Sequence, residues 1–138
     1  MTYKTARPIE TLKGLTFASV QSADDHTIEF TGSSDGNVYE LSHRQECCED
    51  VVIEDVCGDL SDLVGAPILD ASVETSEKEN ESKCTHETWT FIKIHTAKGF
   101  VTIRFHGSSN GYYSEDAKLL QVFGSWEEAD ESEFGVSA

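Results

Sequence analysis

Basic residues are scarce in this chain, with 10 Lys and Arg against 26 Asp and Glu and a formal net charge of −16 over 138 residues. That deficit argues against a direct DNA- or RNA-binding surface and against a dock for anionic lipid, because like charges repel until salt screens them. The same field suits a basic partner protein, whose nucleic-acid groove an acidic domain can fill in place of a duplex. Its plainer use is solubility. Long apolar runs are also missing. No window approaches the ~20 apolar residues of a membrane span, and residues 1–14 (MTYKTARPIETLKG) contain no apolar segment of signal-peptide length. A cytoplasmic protein without membrane contact is therefore expected. Paired CxxC knuckles are absent as well. With four cysteines and no secretory signal, reduced thiols are expected rather than a disulfide framework, and a bridge between the neighbours Cys47 and Cys48 would be strained.

What is present is enough for one hydrophobic core: 38% of the 138 residues are hydrophobic. Residues 15–21 (LTFASVQ) and 26–31 (HTIEFT) are rich in β-branched and aromatic side chains and flank a polar turn, so they predict a hairpin. A second turn, GSSDG, leads into NVYELSH, where Tyr39, Leu41 and His43 share one strand face, which completes a three-stranded meander. ECCEDVVIEDVCG favours an extended segment. In DLSDLVGAP, Asp59 can cap, Leu60, Leu63 and Val64 fall at helical spacing, Gly65 suits a left-handed end and Pro67 stops the element, so a helix of one or two turns is predicted. PILDASV resumes a strand pattern. ETSEKENESK (residues 74–83) has no apolar residue and reads as a mobile loop.

The sharpest local prediction is a hairpin of TWTFIKIHT and GFVTIRFH. Pairing Thr96 with Gly99 sets Ile94 against Val101, Ile92 against Ile103 and Thr90 against Phe105, and a one-residue slip would mix apolar and polar faces. A turn at Ser109-Asn110-Gly111 and a last strand over residues 118–123 follow. The predicted architecture is α+β and β-rich: an antiparallel sheet of about six strands, built from a meander and hairpins, with one short helix packed on it. Residues 1–11 form an N-terminal lead, residues 12–124 a single domain with a mobile acidic loop at 74–85, and residues 125–138 an acidic disordered tail.

Candidate chemistry falls into distinct groups. The polar face of the long hairpin sets Lys93, Arg104 and His106 beside Trp89 and Phe91, with Asn110, Tyr112 and Tyr113 in reach; stacking rings and anion-binding cations would hold a nucleotide-like small ligand. The structural alternative is a second packing layer, in which the short helix covers Trp89 and Phe91 and Arg104 pairs with an acid. A partner-binding surface is offered by Glu46, Glu49, Asp50, Glu54, Asp55, Asp59 and Asp62, reinforced by the acids of the tail. Metal ligation by His43, Cys47 and Cys48, completed by Cys57, Cys84 or His86, would need four well-spaced donors, and adjacent cysteines chelate one ion poorly. A thiol–histidine pair backed by Glu54, Asp55 or Asp59 lacks the strand-turn-helix setting of a nucleophile elbow. No catalytic residue, no cofactor and no favoured metal site follows.

These motifs carry a resemblance. His43, Gln45, Cys47-Cys48-Glu49, Glu54-Asp55, Gly58-Asp59-Leu60, Thr88-Trp89-Thr90-Phe91 and Ser109-Asn110-Gly111-Tyr112-Tyr113-Ser114 resemble a family of small proteins of bacteriophages and mobile bacterial elements with no assigned activity, over residues 12–123. The resemblance implies phage or prophage origin, one compact domain, residence in the host cytoplasm and an accessory role against a host system. The expected function is non-enzymatic binding of a basic host protein through the acidic surface, as an inhibitor of a nucleic-acid-handling or defence factor. Small-ligand binding by the Trp89, Arg104 and Tyr112 face is the alternative, and a metal-binding protein or enzyme comes third.

Overall fold

The computed structural model describes residues 2–45, 48–80, 82, 85–110 and 114–124. Strands β1 (Thr2–Arg7), β2 (Ser19–Ser22), β3 (Ile28–Thr31), β4 (Val38–Ser42) and β9 (Lys118–Gly124) form a five-stranded sheet in the order β1-β9-β4-β3-β2. Strands β5 (Asp50–Cys57), β6 (Asp70–Asn80), β7 (Thr85–Thr96) and β8 (Gly99–Ser109) form a four-stranded sheet in the order β5-β8-β7-β6. All strand pairings are antiparallel. One apolar cluster joins the sheets, with Phe30, Tyr39, Leu41 and Leu119 from the first meeting Ile92, Ile94, Val101, Ile103 and Phe105 from the second. Phe17 plugs the centre, edge-on to Phe30 and Tyr39 at centroid distances of 5.1 and 6.1 Å.

The long hairpin has the predicted register: Thr96 faces Gly99, Ile94 faces Val101, Ile92 faces Ile103 and Thr90 faces Phe105. The apolar face could be buried only in that frame, and it forms the floor of the core. The β2–β3–β4 meander is present too.

Three expectations are corrected. The single sheet of about six strands is, among the described residues, two sheets with nine strands. The predicted helix is a 3-10 turn at Leu60–Leu63, one of a pair with Ile9–Leu12, and the described residues contain no α-helix. Its end signals were read correctly: the Asp59 carboxylate accepts from the Ser61 N–H at 3.0 Å, and Gly65 has φ +77°. The segment between them is too short to propagate α-helical bonds after a costly nucleation. Finally, the expected loop from Glu74 onward is strand through Asn80, and most of the expected lead is β1. Both lie at sheet edges, where a neighbour's backbone supplies the hydrogen bonds and no apolar pattern is required. The tail at 125–138 lies outside the described residues.

Candidate functional site

The outer face of the four-stranded sheet carries the predicted ligand residues, and the structure commits its cations to carboxylates. Lys93 Nζ lies 3.0 Å from Glu74 Oε1 on β6, and His106 Nε2 lies 2.8 Å from Glu87 Oε1 on β7. Arg104 Nε is 2.7 Å from Glu54 Oε1, with Asp55 Oδ2 3.9 Å from its Nη2. Adjacent strand residues normally point to opposite faces, but the β5–β8 register shifts between Ile53 and Asp55. This bulge turns Glu54 and Asp55 toward the same guanidinium. Trp89 packs on the His106 ring at 5.0 Å, while the exposed Phe100 stacks on His95 at 3.9 Å. Arg104 thus pairs with acids as the structural alternative required, but the short turn is not a lid over Trp89 and Phe91. Leu63 is buried in the core and the Asp62 carbonyl accepts from Thr96 Oγ1 at 2.5 Å, so the turn caps the hairpin's tip. Asn110 is exposed beside a different hollow, and Tyr112 and Tyr113 lie outside the described residues.

The acids predicted to meet a partner divide. Asp50, Glu54, Asp55 and Asp59 are exposed and Asp62 is half-buried, whereas Glu46 is outside the described residues. Glu49 is withdrawn from the surface altogether: its side chain is fully buried, and its Oε2 lies 2.7 Å from His43 Nε2. The other nitrogen of His43, Nδ1, lies 2.8 Å from the Asp116 carbonyl. Both ring nitrogens of His43 are thus engaged within the protein, and neither is presented to a metal or a thiol. Cys48 lines a hollow with Glu49 and Asp50, Cys57 is exposed on β5, and Cys47 and Cys84 lie outside the described residues. Among the described residues no three His, Cys, Asp or Glu side chains gather as a metal cluster.

What sequence reasoning missed is the strap at residues 114–117, which crosses one end of the molecule and ties the sheets together. Gly107 on β8 permits its approach, since a Cβ there would sit 2.2 Å from the Glu115 carbonyl oxygen. Glu115 turns into the four-stranded sheet and is buried. It accepts from His86 Nδ1 at 2.7 Å, from Thr88 Oγ1 at 3.0 Å and from the Ser109 hydroxyl. Glu77 Oε1 holds the other His86 nitrogen at 3.0 Å. The hydrogen bond to Glu115 raises the His86 pKa above its ordinary 6.5, with Glu77 adding to it and burial opposing. Ala117 N–H donates to Thr90 Oγ1 at 3.2 Å, while the Asp116 carbonyl reaches back to His43 beyond β4. The sequence signal available was the run Glu115-Asp116 between two patterned strands, with histidines too far along the chain for spacing to connect them.

Three hollows surround the strap. The largest, about 390 Å³, is lined by His43, Arg44, Gln45, Ser114, Asp116 and Lys118 together with Ala6. A second of about 240 Å³ lies over His86 and Glu115, and a third of about 220 Å³ over Ile9, Val73, Ile92 and Leu119.

Fold and site together define an acidic protein of two antiparallel sheets, tied at one end by a strap with a buried carboxylate. The chain belongs to the family DUF7448, a domain of unknown function, whose model matches residues 4–119. No curated protein and no solved structure matches it. No helix among the described residues is long and apolar enough to cross a membrane.

Proposed function

We propose that this chain is a non-enzymatic accessory protein of a phage or mobile element that binds a basic host protein, a nucleic-acid-handling or defence factor, through the acidic rim of its four-stranded sheet. The observation that carries the reading is the placement of carboxylates on both edge strands. Asp50, Glu54 and Asp55 are exposed on β5, and Asp70, Glu74, Glu77 and Glu79 are exposed on β6. The cations between them, Lys93 and Arg104, are fewer than the acids they face. A basic groove laid across such a sheet would exchange its counterions for fixed carboxylates, as it does with phosphates.

The test is capture from a native host lysate, read by mass spectrometry across a salt series. Capture at about 50 mM salt should fall away by about 200 mM. The double variant Asp50→Lys and Asp55→Lys, with its strand content checked by circular dichroism, should lose the same partner. Capture that ignores salt, or survives the charge reversal, overturns the reading.

A further inference from the structure

At the strap end of the molecule the sign of the charge reverses. Arg44 follows β4, Lys118 opens β9 opposite Ser42 of β4, and Arg7 closes β1 opposite Leu119. Three neighbouring strands therefore deliver a cation to one corner of a chain with a net charge of −16. Arg44 and Lys118 line the 390 Å³ cavity, and among the described residues neither has a carboxylate partner. Arg7 uses Nε to donate to Gln121 at 2.8 Å and lines the adjoining 220 Å³ hollow, which shares Asp116 and Lys118 with the first. Elsewhere Lys4, Lys13, Lys93 and Arg104 lie within ion-pair distance of an acid and Lys98 donates to the Val64 carbonyl at 2.6 Å, while the exposed Lys78 stands alone on β6, away from any second cation of its kind. Glu49 is held by His43 and Glu115 by His86, and among the described residues of the lining the remaining acid is Asp116, its carboxylate accepting from the Ser114 hydroxyl.

We infer that this cavity is a binding site for a small organic phosphate monoester. Its oxygens face the Arg44 guanidinium and the Lys118 ammonium, and its organic part lies in the adjoining hollow over Ile9, Val73 and Ile92; the Gln45 amide beside them already donates to the Glu49 carbonyl at 2.6 Å. A fork of guanidinium donors beside a point-charge ammonium is the usual protein chemistry for a phosphoryl group. A dianion rather than a monoanion balances two cations that already contend with Asp116. The volume is in the range of small-molecule sites, about 300–1,000 Å³. This site is at a different end of the fold from the acidic rim, so either assignment can fail without the other.

The experiment is a titration of the isotope-labelled chain at low ionic strength, followed by amide shifts, with phenyl phosphate, benzoate and phenol as probes. Phenyl phosphate should bind saturably and move the amides of Arg44, Gln45, Ser114 and Lys118. The variant Arg44→Ala with Lys118→Ala should weaken that binding at least tenfold. Both side chains are exposed, and among the described residues neither is paired with an acid, so the folded spectrum should be retained. The variant Lys78→Ala with Lys93→Ala, which removes the same charge on the other sheet, should bind as the parent does. Absence of saturable binding, binding that survives the Arg44 and Lys118 substitutions, or equal loss in the Lys78 and Lys93 control overturns the site. Benzoate or phenol binding as tightly as phenyl phosphate overturns the phosphate assignment.

Discussion

Two of the five histidines, His43 and His86, are held at both ring nitrogens, and that decides what they can do. His86 stands between Glu115 and Glu77, and His43 between Glu49 and the Asp116 carbonyl. A ring between two acceptors favours two N–H donors, and for His86 this raises the pKa above 6.5. A group whose folded pKa is raised contributes stability that is complete below its unfolded pKa and is lost as pH climbs through the folded one. His86→Gln should therefore cost most near pH 6 and least near pH 9, so the difference in urea midpoint between parent and variant shrinks as pH rises. A constant or widening difference would remove the charged hydrogen bond from the account. Asp35 behaves in the opposite sense. Burial raises its pKa, but bonds from Ser33, Asn37 and Tyr39 overcome this and lower it to about 2, so its contribution is complete above 3.8 and is lost as pH falls through about 2.

Among the elements, the strap depends on β8 having no side chain at Gly107. A Cβ at that position would lie 2.2 Å from the Glu115 carbonyl oxygen, 2.8 Å from Glu115 Cβ and 3.0 Å from Val51 Cγ2. The obstructing atom is backbone, which cannot swing away as a flexible side chain would. Gly107→Ala should destabilise the fold by roughly 2–3 kcal/mol, the upper part of the range for overpacking. Urea denaturation measures the loss, and amide exchange should show it concentrated at residues 115–118 and at Thr88. A substitution costing under about 0.5 kcal/mol would mean that the strap moves freely. β5 makes a related point: its bulge brings Glu54 and Asp55 to Arg104, which occupies the guanidinium expected from the sequence to meet a ligand.

For the whole molecule, the net charge of −16 acts on stability as well as on association. Surface ion pairs such as Lys13–Asp70 and Lys93–Glu74 are exposed, worth about 0–1 kcal/mol each, and weakened by salt. Repulsion among 26 acids against 10 bases is screened by the same salt, and at this imbalance the relief is the larger effect. The melting temperature should therefore rise between about 10 mM and about 150 mM sodium chloride. A fall over that interval would assign the surface pairs the larger role. The acidic rim and the cationic corner also predict opposite responses to charge-altering substitutions, the rim losing its basic partner and the corner its phosphate.

Sequence alone determined the elements whose two faces differ in chemistry. The β7–β8 register, the β2–β3–β4 meander and the turn ended by Gly65 were all legible, because burial of one face admits one frame and a left-handed backbone favours glycine. Edge strands escaped detection. β1 and residues 74–80 take their order from a neighbour's backbone, and a strand held in that way carries no alternation. The candidate site was legible only as residue types. Tertiary structure decided that Glu49 is buried on His43, that Glu115 joins His86, Thr88 and Ser109, and that Arg7, Arg44 and Lys118 meet at one corner. Those partners are separated by many residues in the chain, and electrostatics depends on distance in space, which spacing along a sequence does not encode.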